Sequence, residues 1–186
     1  MAPTVELLLL RHAIAEERRA DRPDRARPLT AWGRSRGRAV VDRLAALDLR
    51  ADRLLSSPLT RARQTAELAV AAGLAPALEL ADGLAPEADP LPLLEIWRAG
   101  QDGKKEAQRP LRLLLVGHEP DLGLLASRLI GAPPGAVRLR KAGVVLLRLP
   151  ADRSRPLLGG ASLRLLMTPR MLLSAASATA PSEPGP

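Results

Sequence analysis

The sequence holds two histidines, and each stands where a run of aliphatic residues stops. His12 closes Val5-Glu6-Leu7-Leu8-Leu9-Leu10-Arg11, and His118 closes Leu113-Leu114-Leu115-Val116-Gly117. Such runs read as strands buried on both faces of a parallel sheet. Ligands of open α/β sheets bind outside the carboxyl ends of those strands, so both imidazoles are expected to face one pocket. Arg11 precedes the first. A further segment, Leu54-Leu55-Ser56-Ser57-Pro58-Leu59-Thr60-Arg61-Ala62-Arg63-Gln64-Thr65-Ala66, passes from a short strand into a helix and brings Arg61 to the same sheet edge. Arginine presents a planar fork of donors that matches phosphate oxygens. A neutral imidazole is competent to attack phosphorus, and cationic donors stabilise the charge of the transition state. The set points to phosphoryl chemistry without a metal or other cofactor. Zinc is the competing use of histidine and needs three or four ligands. Two widely separated histidines, with no cysteine in the chain, do not supply them.

The elements that must position these residues alternate between strand and helix. Strands are expected at Val5–Leu10, Arg53–Ser56, Ala77–Leu80 and Leu111–Val116, with late strands at Val144–Leu149 and Ser162–Leu166. Thr30 reads as the N-cap of a helix over Ala31–Leu47, with Val40, Val41, Leu44 and Leu47 at apolar spacing. Pro58 is placed near N1 of a helix that runs to about Ala72, and Gly73 ends it. Shorter helices are expected at Leu93–Ala99 and Pro120–Ile130. Ala13–Leu29 is a long polar loop of the kind that often carries function. Gly100–Pro110 reads as a solvated connection. The pattern predicts an α/β fold: a mostly parallel sheet with helices on both faces. One domain is expected over residues 1–173, with a disordered Ala/Ser/Pro-rich tail over 174–186.

Composition narrows the partners. The 186 residues carry a formal net charge of +8, nearly all of the positive charge on arginine, which favours anionic partners. Phe and Tyr are absent and Trp32 and Trp97 are the two aromatics. The core must therefore be aliphatic, and the stacking platforms of single-strand nucleic-acid binders are missing. Nucleic acid is thus disfavoured against a phosphorylated protein or a small phosphorylated metabolite. The first apolar run is too short for a membrane span, ends in arginine and has no basic leader before it. A cytoplasmic protein that does not engage a membrane is the expectation.

Taken in order, Arg11-His12-Ala13, Arg27-Pro28-Leu29-Thr30 with Gly33, Ser57-Pro58-Leu59-Thr60-Arg61-Ala62-Arg63-Gln64-Thr65-Ala66 and Gly117-His118 resemble the histidine phosphatase superfamily, also called phosphoglycerate mutase-like. The short length, the Arg-Pro-Leu-Thr segment and Val116-Gly117-His118-Glu119-Pro120-Asp121-Leu122 are most similar to its small SixA-type phosphohistidine phosphatases. The resemblance implies a phosphoglycerate mutase-like fold, His12 as nucleophile forming a phosphohistidine intermediate, and Arg11, Arg61 and His118 as phosphoryl ligands. It also implies an acid on the loop after the second helix in many members. Glu87 is the first candidate there and Asp89 the next, each with an exposed turn as the plain alternative. Ser57 is assigned to orienting phosphate or to capping its helix, with capping the stronger reading. Arg22 and Arg27 read as solvated loop residues. Phosphohistidine in proteins is the expected substrate. A small-molecule phosphomonoesterase of the same superfamily and a non-catalytic phosphate- or nucleic-acid-binding module are the alternatives.

Overall fold

The computed structural model describes residues 4–100, 109–150, 152 and 154–177. Six strands form one sheet: β1 (Val5–Arg11), β2 (Arg53–Ser56), β3 (Leu78–Leu80), β4 (Leu111–Gly117), β5 (Val144–Leu149) and β6 (Ser162–Met167), in the order β3-β2-β4-β1-β5-β6. β1, β2, β3 and β4 are parallel, and β5 runs antiparallel to both of its neighbours. This is the mostly parallel α/β fold that the alternating pattern predicts.

Alternate residues of β1 and β4 supply opposite faces, as strand geometry requires. Leu8, Leu10, Leu114 and Val116 belong to one core cluster, and Leu7, Leu9, Leu113 and Leu115 to the other. The first cluster is closed by α1 (Ala31–Ala46), α2 (Thr60–Ala71) and α5 (Pro169–Ser177), which contribute Val40, Val41, Leu44, Ala66 and Leu172. The second is closed by α3 (Leu91–Ala99) and α4 (Asp121–Ile130), through Leu94, Trp97, Leu122 and Leu125. Each fully buried leucine contributes roughly 1.5–3 kcal/mol of transfer free energy, so this double layer is what holds the strand ends rigid. Among the described residues no helix is long and apolar enough to cross a membrane.

The helix punctuation mostly follows the sequence. Thr30 caps α1, its Oγ1 accepting the Gly33 N–H at 2.9 Å. Gly73 ends α2 with φ of 69°, a left-handed conformation that glycine adopts without strain. Pro58, however, is not at N1. The N-cap is Leu59 and α2 begins at Thr60, so the proline stiffens the approach rather than the first turn. α3 begins at Leu91, with Pro92 inside its first turn, where a missing N–H costs nothing. α5 extends to Ser177, so the first residues of the expected tail are helical, while 178–186 lie outside the described residues. Most of the expected 100–110 connection, residues 101–108, lies outside them too.

Candidate active site

The site inherits its geometry from the sheet. β4 lies between β2 and β1, and its register pairs Val116 with both Ser56 and Leu10. The three strands therefore end at one level. Two backbone bonds extend that alignment past the strand ends: His12 N–H donates to Gly117 O at 3.0 Å, and Ser57 N–H donates to Val116 O at 2.9 Å. His12, His118 and Ser57 consequently leave the sheet side by side. The imidazole centroids are 5.2 Å apart with the rings tilted by 56°.

The segment after His12 is pinned by both arginine motifs. Ala13 N–H donates to Thr65 Oγ1 at 3.0 Å. Ala15 bridges Leu29, Thr30 N–H donates to Ile14 O at 3.0 Å, and Leu29 N–H donates to Gln64 Oε1 at 2.8 Å. Thr65 and Gln64 thus hold the loop, while Arg61, one turn earlier on α2, enters the site. Gly33 is obligatory for this arrangement, because a Cβ there would lie 1.9 Å from Ile14 O.

Hydrogen bonding fixes the tautomer of His12. His12 Nδ1 lies 2.7 Å from Ala13 O. A carbonyl oxygen only accepts, so Nδ1 carries the proton and the Nε2 lone pair is left for attack. Burial pushes His12 down to about 3, assisted by the charges of His118, Arg61 and Arg11 and opposed by the Ala13 bond. Burial likewise lowers His118 to about 4, with Arg61 and Arg11 adding to the shift and Asp24 opposing it. Both rings are neutral at neutral pH. The same interactions place Arg11 and Arg61 within electrostatic reach of both imidazoles. The four expected residues form one cluster at the carboxyl edge of the sheet.

Each arginine is anchored from one side. Arg11 Nη1 donates to Leu139 O at 2.8 Å, and Arg61 Nη1 donates to Asp24 O at 2.9 Å while its Nη2 pairs with Asp24 Oδ2 at 3.1 Å. Among the described residues their Nε atoms are buried without a hydrogen-bond partner, and so is His118 Nδ1. An unpaired buried polar group costs about 1–3 kcal/mol.

Ser57 does not cap α2 as expected, because the N-cap is Leu59 and no side chain caps the helix. Its Oγ accepts the Leu59 N–H at 3.3 Å and is hydrogen-bonded to His118 Nε2 at 2.8 Å. The hydroxyl can donate to or accept from Nε2, so this contact orients the His118 ring without assigning its proton.

Two carboxylates enter the surroundings without an advance signal. Asp24, in a 3₁₀ turn of the long loop, pairs with Arg18, Arg27 and Arg61 at 2.9, 3.0 and 3.1 Å. Although burial pushes its carboxyl up, the three arginines outweigh that and hold it below the ordinary range. Glu119 Oε1 accepts the Leu139 N–H at 2.9 Å and so steadies the segment that anchors Arg11. No motif marks Asp24, and the motif that contains Glu119 assigns it no role. Arg27, read as solvated, is instead largely buried, its Nη1 donating to Glu16 O at 2.7 Å. Arg22 is the exposed loop residue expected and pairs with Glu16.

Glu87 is not gathered into the cluster. Among the described residues no hydrogen bond or ion pair joins it to either histidine. It sits at φ of 68°, and its backbone N–H lies 3.4 Å from Asp121 Oδ2. Asp89 pairs with Arg128 at 3.2 Å. No group of three or more His, Cys, Asp or Glu among the described residues is placed to hold a metal ion.

Comparison with known proteins gives concordant matches. Residues 7–85 match the histidine phosphatase superfamily (branch 1). An uncharacterised protein of Picosynechococcus sp. is 40% identical over 173 residues, spanning 91% of this chain and 99% of that protein. The protein histidine phosphatase SixA complexed with tungstate superposes with a TM-score of 0.72 at 25% identity, covering 90% of this chain and 99% of that one. A mycobacterial glucosyl-3-phosphoglycerate phosphatase shares the fold at a TM-score of 0.65 and 18% identity, covering 86% and 97% of the two chains.

Proposed function

The chain belongs to the histidine phosphatase superfamily and resembles its SixA members, and on that footing we propose that it is a phosphohistidine phosphatase acting on proteins through a phosphorylated His12. The Nε2 lone pair of His12 attacks phosphorus in line, and the bond to the leaving group breaks as the N–P bond forms. Because Nδ1 keeps its proton on Ala13 O, the phosphorylated ring is an imidazolium, and that carbonyl stabilises its charge. Arg11, Arg61 and His118 donate to the phosphoryl oxygens as negative charge builds on them. Water then attacks phosphorus, gives up a proton to solvent, and expels His12 as the neutral imidazole with which the cycle began. No proton has to leave or reach Nδ1 in either step.

The observation that supports the substrate assignment is the placement of the nearby carboxylates. Asp24 is held ionised by three arginines, Glu119, though pushed up by burial, is turned to the Leu139 backbone N–H, and the exposed Glu87 has no hydrogen bond to either histidine among the described residues. An alkoxide leaving group needs a proton in the transition state. A phosphohistidine that carries a proton on its other ring nitrogen leaves as neutral imidazole and needs far less help. The site therefore suits a phosphoramidate better than an alkyl ester.

The test compares wild type, His12→Ala and Glu87→Gln on a phosphohistidine peptide, an aryl phosphate and an alkyl phosphate. We expect turnover in the order peptide, aryl, alkyl. His12→Ala should abolish all three, and Glu87→Gln should leave the peptide rate unchanged. Efficient alkyl phosphate hydrolysis that falls roughly 10²–10⁴-fold in Glu87→Gln would instead establish a small-molecule phosphomonoesterase with Glu87 as its acid. Phosphate or tungstate binding that survives in His12→Ala, without wild-type turnover of any substrate, would leave a binding module.

A further inference from the structure

A cavity of about 520 Å³ adjoins the active site and has Arg11 in its wall. Its other charged residues are Arg36 of α1, Arg140 and Lys141 from the turn before β5, and Arg170 at the start of α5. The remainder of the wall, Ile14, Thr168 and Pro169, carries no charge. Five cationic side chains therefore line one hollow without an acidic residue among them. Among the described residues none of Arg36, Arg140, Lys141 and Arg170 forms an ion pair. Arg36 instead lies 5.9 Å from the ring centroid of Trp32, which is 62% exposed. Burial pushes the Arg11 guanidinium down, the Glu119 charge opposes that, and the Arg140 charge adds to it. α5 begins in the wall, so the positive end of its dipole adds to the same field.

The two arginines of the active site thus have different surroundings. Arg61 is met by the Asp24 carboxylate. Arg11 has no ion-paired carboxylate among the described residues; it feels the Glu119 charge from beyond that range and shares the cavity wall with four further cations. A substrate with one phosphoryl group uses the shared centre and leaves this second concentration of positive charge without a counterpart.

We infer that the cavity beside Arg11 is a substrate subsite for acidic side chains flanking the phosphohistidine of a protein substrate. This inference rests on the phosphatase reading and adds a specificity to it. The hollow is wider than one phosphate requires, and its cations come from four separate segments. One of its lining arginines, Arg36, lies over the exposed Trp32 ring, and both residue types are enriched where proteins meet. These features favour an acidic protein surface over a single small anion. Carboxylates held here are exposed and screened, so each adds a modest amount, and the attraction acts on encounter as well as on affinity.

Two phosphohistidine peptides test the subsite, one with Asp and Glu flanking the phosphohistidine and one with Asn and Gln in their places. Wild type is expected to prefer the acidic peptide by about tenfold in kcat/KM, the sum of a few exposed pairs. The preference should lie mainly in KM and shrink as salt is raised. A Lys141→Glu/Arg170→Glu variant, shown by its thermal midpoint to be folded, should lose or invert it. Equal use of both peptides by wild type overturns the subsite while leaving the phosphatase intact. Failure to hydrolyse either peptide, or an aryl phosphate, overturns the phosphatase reading itself. An alkyl bisphosphate preferred over its monophosphate, with no peptide preference, reassigns the cavity to a second phosphate and overturns the protein-substrate proposal. A preference that persists unchanged in the double variant also refutes the assignment.

Discussion

The burial that keeps His12 neutral has a measurable cost at mild acidity. Unfolded imidazoles take up protons near pH 6.5. In the folded chain His12 does so only at about 3 and His118 at about 4. Between those values the unfolded state binds protons that the folded state refuses, so stability rises with pH across the window and is lost as pH falls. Each pH unit below the ordinary imidazole value is worth about 1.4 kcal/mol per ring. Going from about pH 7 to about pH 5 should therefore remove roughly 2 kcal/mol for each histidine, and roughly 4 kcal/mol in all. Glu119 and Asp121 act in the opposite direction, because burial pushes their carboxyls up and the folded state then gains on acidification. Comparison with a variant isolates the imidazole contribution. Urea unfolding of wild type and His12→Asn at both pH values, at one ionic strength, should give a pH-dependent loss smaller by about 2 kcal/mol in the variant. The activity should parallel this: the His12 lone pair stays available throughout the window, so kcat/KM on an aryl phosphate should hold its value down to about pH 5. Identical pH dependence of stability in wild type and variant would refute the reasoning, since it would mean that folded His12 titrates as an ordinary imidazole.

Two further outcomes follow from single contacts. Ser57→Ala removes the hydroxyl bonded to His118 Nε2 and the acceptor of the Leu59 N–H; kcat/KM should fall by about tenfold and stability by about 1 kcal/mol, read by steady-state kinetics and denaturation. Far from the site, Arg112 Nε and Nη2 donate to Glu6 Oε2 at 3.1 and 2.6 Å, and both side chains are about 6% exposed. Arg112→Met leaves that carboxylate buried and should cost about 3–5 kcal/mol, whereas a Glu6→Met/Arg112→Met pair should recover most of it, as urea midpoints would show.

The reactive centre was legible because its residues sit directly at strand ends, where position along the chain translates into position in space. Arg11 is the last residue of β1, and His12, Ser57 and His118 are the first residues after β1, β2 and β4; hydrophobic runs report strand ends well. Arg61 was legible through the helix that starts beside them. Asp24 and Glu119 were not, because nothing local dictates their direction. Asp24 reaches Arg61 by the folding of a long loop, and Glu119 reaches Leu139 across a gap of 20 residues. Arg27 was misread for the same reason: its burial depends on where Glu16 and Asp24 come to rest. Glu87 shows the converse limit. Its place on a loop after the second helix matched a family pattern, but the left-handed backbone at Glu87 directs its neighbourhood toward Asp121.

The scarcity of aromatic side chains also gives this protein an unusual optical economy. With no tyrosine in the chain, its near-ultraviolet emission originates from Trp32 and Trp97. Trp32 stands in solvent beneath Arg36, next to the cationic hollow, whereas Trp97 is 5% exposed within the leucine layer on the other side of the sheet. A water-facing, red-emitting indole thus watches the approach of a partner, and a dry, blue-emitting one watches the integrity of the core. Docking and unfolding are written in separate colours in a molecule that needs no attached dye.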